Sequence, residues 1–258
     1  VMLGQVLSTD LVPMYSIPQS ITDMISTLIA SIVMVAVPRL AYYSEDHPKE
    51  YLELLNRSYR SFMLVVFPAC IGIACLSREV IRLYSGSSYD AAIPVLAVFA
   101  IRSIESSVYM VCANQILYIK NREKFLVKML LMGGILNVIF NGAAVLFGIF
   151  SPLVAISTTF LAEIVLMIVL MRYIHKEMEI PFYIFTKTNL KYLLLSLTFV
   201  PVTIGVHLLG FGELLNAGIV VPVCVAIYFG VLLLTKDETM LFLSQKVLST
   251  LLGRFKKK

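Results

Sequence analysis

The sequence predicts an all-α, polytopic transmembrane helical bundle, with about seven full spans plus a partial first span. Three observations carry this reading. Hydrophobic residues make up 59% of the 258 positions, charged residues only 14%, and the mean hydropathy is +0.88; soluble domains carry about 25% charged residues. Long stretches lack Asp, Glu, Lys and Arg altogether, notably 192–212, 214–235 and the double-length 129–162 broken by "GIFSP". About 20 helical residues suffice to cross a hydrocarbon core of about 30 Å. The third observation is the placement of the basic residues. With spans near 18–38, 61–83, 92–118, 127–147, 153–173, 192–210 and 216–235, the connections carry 4, 2, 4, 0, 4 and 0 Lys+Arg in turn, and 6 follow Thr235. High and low counts alternate at every crossing, the signature of the positive-inside rule. The net charge of +5 is therefore topological rather than a nucleic-acid footprint, and it predicts a multi-pass protein of the cell membrane with a cytoplasmic C-terminus.

Each element has its own signal. Val1 to Val12 is mostly apolar and reads as the tail of an eighth span, so the chain is expected to be the C-terminal portion of a longer protein or a shortened gene product. Pro13 and Pro18 mark a bend before "SITDMISTLIASIVMVAVPRL", which is expected to stop at Pro38-Arg39 because proline ends or kinks a helix. "SEDHPKEYLELLNRSYR" follows, with Tyr51, Leu52, Leu55 and Tyr59 at helical spacing, and is expected to lie along the membrane surface. Pro68 and Gly72 predict a kink inside the next span, where neighbours re-satisfy the freed carbonyl. "YSGSSYDAAIP" reads as a loop, and "LLMGGILNVIFNGAAVLFGIFSPLVA" as a helical hairpin with a tight turn. The tail from Lys236 to Lys258 places Met240, Leu243, Val247, Leu248, Leu251 and Phe255 on one side, predicting an amphipathic helix on an anionic leaflet.

Chemistry can reside in few places. His47, His175 and His207 lack the companions of a metal site or nucleophile triad, the four cysteines form no paired motif, and no Gly-rich phosphate loop or HExxH is present. No metal, cofactor or catalytic role is expected. The informative residues are ionisable groups inside apolar spans, which cost at least about 2.5–3.5 kcal/mol at bilayer depth and so face a bundle interior or water-filled pathway. Arg102, Glu105, Ser106, Tyr109 and Ala113 share one helical side, opposite Ile104, Val108 and Val111. The alternatives to a pathway role are an Arg102–Glu105 pair that neutralises itself within the helix, or an Arg102 that reaches outward to the interface. Glu163 has no charged partner within a turn, and Thr159 is the expected hydrogen-bond donor to it. Asp23 lies about a turn inside its helix and is a further pathway candidate. Asn137 and Asn141, beside Gly133, Gly134 and Gly142, predict close helix packing bridged by asparagine.

The order of "VPRLAYY", the short connector, "FMLVVFPACIGIACLSREVIRLYSGSSYDAAIPVLAVFA", "NQILYIKNREKFLVKMLLMGGILNVIFNGAAVLFG" and "SPLVAISTTFLAEIVLMIV" resembles the polysaccharide-transporter flippases of the multidrug/oligosaccharidyl-lipid/polysaccharide exporter superfamily. The resemblance implies a two-lobed bundle that moves undecaprenyl-diphosphate-linked oligosaccharides across the membrane by alternating access. On that basis residues 1–175 correspond to a second lobe with a truncated first span, 176–235 to two trailing transmembrane helices, and 236–258 to a cytoplasmic basic tail. The implied partners are the bilayer, the lipid-linked oligosaccharide and a missing N-terminal lobe. Alternatives within reach of the sequence are a drug/cation antiporter of the same superfamily and an inactive truncated flippase remnant; a membrane glycan polymerase would normally need a larger extracytoplasmic loop.

Overall fold

In the computed structural model, which describes residues 9–242 and 244, every regular element among the described residues is helical. Seven helical segments are long and apolar enough to cross a membrane: Val12–Tyr43, Pro48–Cys75, Ser87–Leu117, Glu123–Leu146, Pro152–Lys176, Lys187–His207 and Glu213–Leu234. They fall on the seven spans predicted from hydropathy. Most of the partial first span and most of the basic tail lie outside the described residues.

We number the helices α1 (Val12–Tyr43), α2 (Pro48–Cys75), α3 (Ser77–Ser85), α4 (Ile93–Val111), α5 (Glu123–Leu146), α6 (Pro152–Lys176), α7 (Lys187–Leu197), α8 (Phe199–His207) and α9 (Glu213–Leu234). Helix α4 is central and packs against α1, α2 and α6. Helices α5 and α6 form a hairpin through a turn in which Gly148 takes φ +67°, a left-handed conformation that costs glycine little. Ser151 then caps α6, its side chain accepting the Val154 N–H at 3.2 Å. The trailing helices dock on the other side of the bundle, α7 and α8 against α2, and α9 against α3 and α8.

Three local expectations are corrected. Pro38 does not end its helix; α1 continues to Tyr43, because losing one ladder bond costs less than opening the backbone in apolar surroundings. The stretch expected to lie on the membrane surface is instead the start of α2, with Tyr51, Leu55 and Tyr59 buried in the core. The Tyr51 hydroxyl donates to the Gln115 carbonyl at 2.8 Å, and Tyr59 stacks edge-on against Phe182 at 4.8 Å. Its apolar face is covered by protein, not lipid. The span expected over 61–83 is divided at Leu76 into α2 and the short α3, and the segment read as a loop, residues 84–94, holds the end of α3, a 3-10 turn over Ser87–Ala92 and the start of α4.

Pro68 leaves the carbonyl of Leu64, four residues earlier, without its helical donor. The buried Tyr228 hydroxyl of α9 donates to that carbonyl at 2.8 Å, so a proline in one span is matched by a tyrosine in another. Helix α4 ends in a π-helical segment, Cys112–Leu117, where Gln115 donates from Nε2 to the Val33 carbonyl of α1 at 2.8 Å. At one end of the bundle Arg82 holds Asp90 at 2.9 Å and Glu213 at 2.5 Å, tying α3 to the 3-10 turn and to α9. At the other end the nearly buried Asp237 accepts from Lys191 at 3.0 Å, from the Tyr192 hydroxyl at 2.9 Å and from the Met240 N–H. Burial alone would raise the Asp237 carboxyl, but these donors outweigh it and hold it below the usual aspartate value of 3.8.

Two predictions follow from these contacts. Tyr228→Phe should destabilise the protein by about 1–3 kcal/mol, the cost of an unsatisfied buried carbonyl. In a Pro68→Ala background, where residue 68 regains its N–H, the same change should cost clearly less in thermal unfolding in detergent. Asp237 has a depressed folded pKa, so its stabilisation is present above 3.8 and is lost as pH falls through the lower folded value. The acid limb of the stability–pH curve below about pH 4 should therefore flatten in Asp237→Asn.

Candidate functional site

Helices α4, α5 and α6 enclose a cleft of about 440 Å³. Arg102, Glu105, Ser106 and Tyr109 of α4 line one wall; these positions recur every third or fourth residue and so share a helical face. Gly133, Gly134 and Asn137 of α5 and Thr159, Ala162 and Glu163 of α6 line the others. The residue that organises the cleft is Arg102. Its guanidinium donates from Nε to Glu163 Oε2 at 2.7 Å and from Nη2 to Oε1 at 2.5 Å, a two-pronged ion pair between α4 and α6. About a quarter of each side chain is exposed, 26% for Arg102 and 24% for Glu163, so the pair borders open space rather than sealed core.

This arrangement rules out one alternative and corrects one sequence expectation. Arg102 does not pair with Glu105 one turn away; it pairs across the bundle with Glu163, 61 positions later, in a two-pronged geometry. Thr159 does not serve Glu163 either. Its hydroxyl donates to the Ala155 carbonyl at 2.8 Å and accepts from Asn137 Nδ2 at 2.7 Å. Glu105 remains in the cleft without a salt bridge among the described residues, and it also borders a second, largely apolar cavity of about 600 Å³ between α2, α4, α6 and α7.

The asparagine pair forms a polar ladder on the α5–α6 seam. Asn141 Nδ2 donates to Asn137 Oδ1 at 2.8 Å, Thr158 Oγ1 donates to Asn141 Oδ1 at 2.7 Å, and Asn137 donates to Thr159 as above. The glycine that allows close approach is Gly133, where an added Cβ would lie 2.9 Å from Leu166 Cδ1. An added Cβ at Gly134 would meet nothing within 4 Å; this residue faces the open cleft, and its expected packing role is corrected accordingly. Asp23 is not brought to the site. It is exposed on α1 and outside the cleft lining. Thr158 and the Arg102–Glu163 partnership escaped the sequence reading; the only signal was that two opposite charges stood unpaired in separate apolar spans.

Seven apolar helices of spanning length around a charged, partly open cleft define the class: a multi-pass helical membrane protein. Comparison with known proteins is specific. Residues 1–94 match the family model described as "Polysaccharide biosynthesis protein". The chain is 28% identical over 149 residues to the probable low-salt glycan biosynthesis flippase Agl15 of Haloferax volcanii, a match covering 57% of this chain and 31% of that protein. Its fold is similar to that of the lipid II flippase MurJ in an inward closed conformation, with a TM-score of 0.57 and 19% identity over 81% of this chain and 46% of that one. The chain thus spans less than half the length of the relatives it matches. The resemblance to polysaccharide flippases that the sequence carries is supported by the family model over residues 1–94, by the Agl15 match and by the similarity of fold.

Removing one member of the ion pair should be costly and removing both should not. A partner left alone in a buried pair costs roughly 3–5 kcal/mol; with a quarter of each side chain exposed, Glu163→Gln should cost about 1–3 kcal/mol. Arg102→Met combined with Glu163→Leu should recover most of that loss, and a double-mutant cycle on thermal unfolding measures the difference.

Proposed function

We propose that this chain is part of a flippase that moves lipid-linked oligosaccharide repeat units, carried on undecaprenyl diphosphate, across the cytoplasmic membrane for surface polysaccharide synthesis. The supporting observation is the Arg102–Glu163 pair at the edge of an open cleft inside an otherwise apolar bundle. A diphosphate head group needs a wet, polar route and a cation in it, and a guanidinium offers two parallel donors that fit phosphate as well as they fit carboxylate. The head group competes with Glu163 for Arg102; when it leaves, Glu163 retakes the guanidinium and closes the site behind it. Ser106, Tyr109, Asn137 and Thr159 offer hydroxyl and amide groups to the sugar, and the prenyl tail stays in lipid. No bond is made or broken, so the protein is a transporter rather than an enzyme. The bundle rocks against a second lobe in alternating access, with its C-terminus in the cytoplasm.

A second reading has its own observation. The cleft holds two carboxyl groups, Glu105 and Glu163, against one guanidinium, so a site stripped of its anion favours a cation. This fits a drug/cation antiporter of the same superfamily.

The two readings separate experimentally. In cells that depend on the gene encoding this chain, Arg102→Ala should abolish surface glycan at normal protein level, and Arg102→Lys should restore it in part. In proteoliposomes, the wild type should expose lipid-linked oligosaccharide to the opposite leaflet, and Arg102→Ala should do so at least tenfold more slowly. Normal glycan export in Arg102→Ala, together with exchange of small organic cations that Glu105→Gln abolishes, would replace the flippase reading with the antiporter.

A further inference from the structure

Far from the cleft, at the end of the bundle opposite the basic loops, a second ionisable pair joins the trailing spans to the rest. Glu79 of α3 is only 1% exposed, and its Oε1 lies 2.5 Å from Nε2 of His207, the last residue of α8. Its other oxygen, Oε2, is buried with no hydrogen-bond partner among the described residues. The imidazole is about one-third exposed, so one member of the pair is sealed in protein while the other meets solvent.

The ionisable side chains on the elements packed around this corner are few. Arg78, Arg82 and Tyr84 share α3 with Glu79, Tyr89 and Asp90 lie on the 3-10 turn, Cys75 ends α2, and Glu213 opens α9. Arg82 is committed to Asp90 and Glu213, and none of these groups hydrogen-bonds Glu79 among the described residues. Among the described residues, His207 is therefore the one side chain that hydrogen-bonds the buried carboxyl.

That pairing sets a requirement for one proton. With a proton shared between them, as imidazolium and carboxylate or as imidazole and carboxylic acid, the pair is neutral overall. Once that proton is lost to base, the imidazole still donates a hydrogen bond, but a net negative charge is left in a buried site with one oxygen unpartnered. The bundle can relieve this cost by letting water reach Glu79, which means parting α8 from α3. We infer that Glu79 and His207 form a proton-dependent clasp that docks the trailing spans on the bundle and loosens as the solution at this end turns alkaline. The inference stands independently of the transported substrate.

Hydrogen–deuterium exchange of the whole chain in lipid nanodiscs tests it, with rates corrected for the intrinsic pH dependence of amide exchange. Protection of the α3 and α8 amides should fall about tenfold from pH 6 to pH 9, while α5, which does not touch the clasp, stays level. Glu79→Gln leaves a neutral amide beside the imidazole and should make α8 protection independent of pH. His207→Gln, which cannot titrate, should do the same and serves if the first variant does not fold. A level wild-type profile, a fall shared equally by α5, or an unchanged fall in both variants would overturn the clasp.

Discussion

The bundle depends on one interaction: a guanidinium placed among apolar helices finds its counter-charge inside the protein. Arg102 and Glu163 meet this requirement for each other, and in doing so they fix how α4 and α6 face across the cleft. A guanidinium at bilayer depth tolerates little misplacement, since its alternative partners are lipid tails. The same requirement explains why the cleft is bordered by polar side chains. Ser106, Tyr109, Asn137 and Thr159 stand on the faces turned toward the ion pair, and the opposite faces of α5 and α6 are occupied by exposed Leu131, Ile135, Val138, Leu161 and Ile168.

Backbone groups are served in the same way at three places. There a side chain from another span donates to a main-chain carbonyl at or near an irregular position. Tyr228 serves the carbonyl that Pro68 orphans, Gln115 reaches Val33 just before Pro38, and Tyr51 serves Gln115 itself within the π-helical segment. These bonds join α9 to α2, α4 to α1 and α2 to α4, so the irregularities also tie the bundle together. Three of the donors or acceptors are far apart in sequence, which makes the irregular positions depend on the tertiary structure as a whole.

That separation marks the limit of what the sequence made legible. Hydropathy and the alternation of basic loops located all seven spans, because crossing a bilayer leaves a long, one-dimensional signal in the chain. Helical spacing also grouped Arg102, Glu105, Ser106 and Tyr109, since residues on one helix share a face by geometry alone. The partner of Arg102 could not be read in the same way; which of several distant spans faces α4 is decided by packing, and the nearer Glu105 was the one partner that spacing alone could suggest. The start of α2 shows the same limit. Periodicity identified Tyr51, Leu55 and Tyr59 as one apolar stripe, but it does not say whether lipid or protein covers a stripe, and here protein does. Asp23 is a charge in an apolar span that stays exposed and outside the cleft lining, so position within a span did not establish membership of the site.

On the proposed function, the seam between α4 and the α5–α6 hairpin is where binding becomes movement. The Asn137–Asn141–Thr158–Thr159 ladder holds α5 to α6, so the hairpin shifts as a unit. Helix α5 has few other attachments; it touches the π-helical segment and otherwise leans on α6. Across the seam to α4, the ion pair among the described residues is Arg102–Glu163. A ligand changes a conformational equilibrium only through contacts that differ between the two states. An anionic head group that takes Arg102 from Glu163 supplies such a difference, because it removes the tie in one state and leaves Glu163 in need of another partner. Glu105, in the same cleft and without a salt bridge, adds to that imbalance. Occupancy of the cleft is thereby coupled to its width through a single exchange of partners at one guanidinium, with no need for a change relayed through the core.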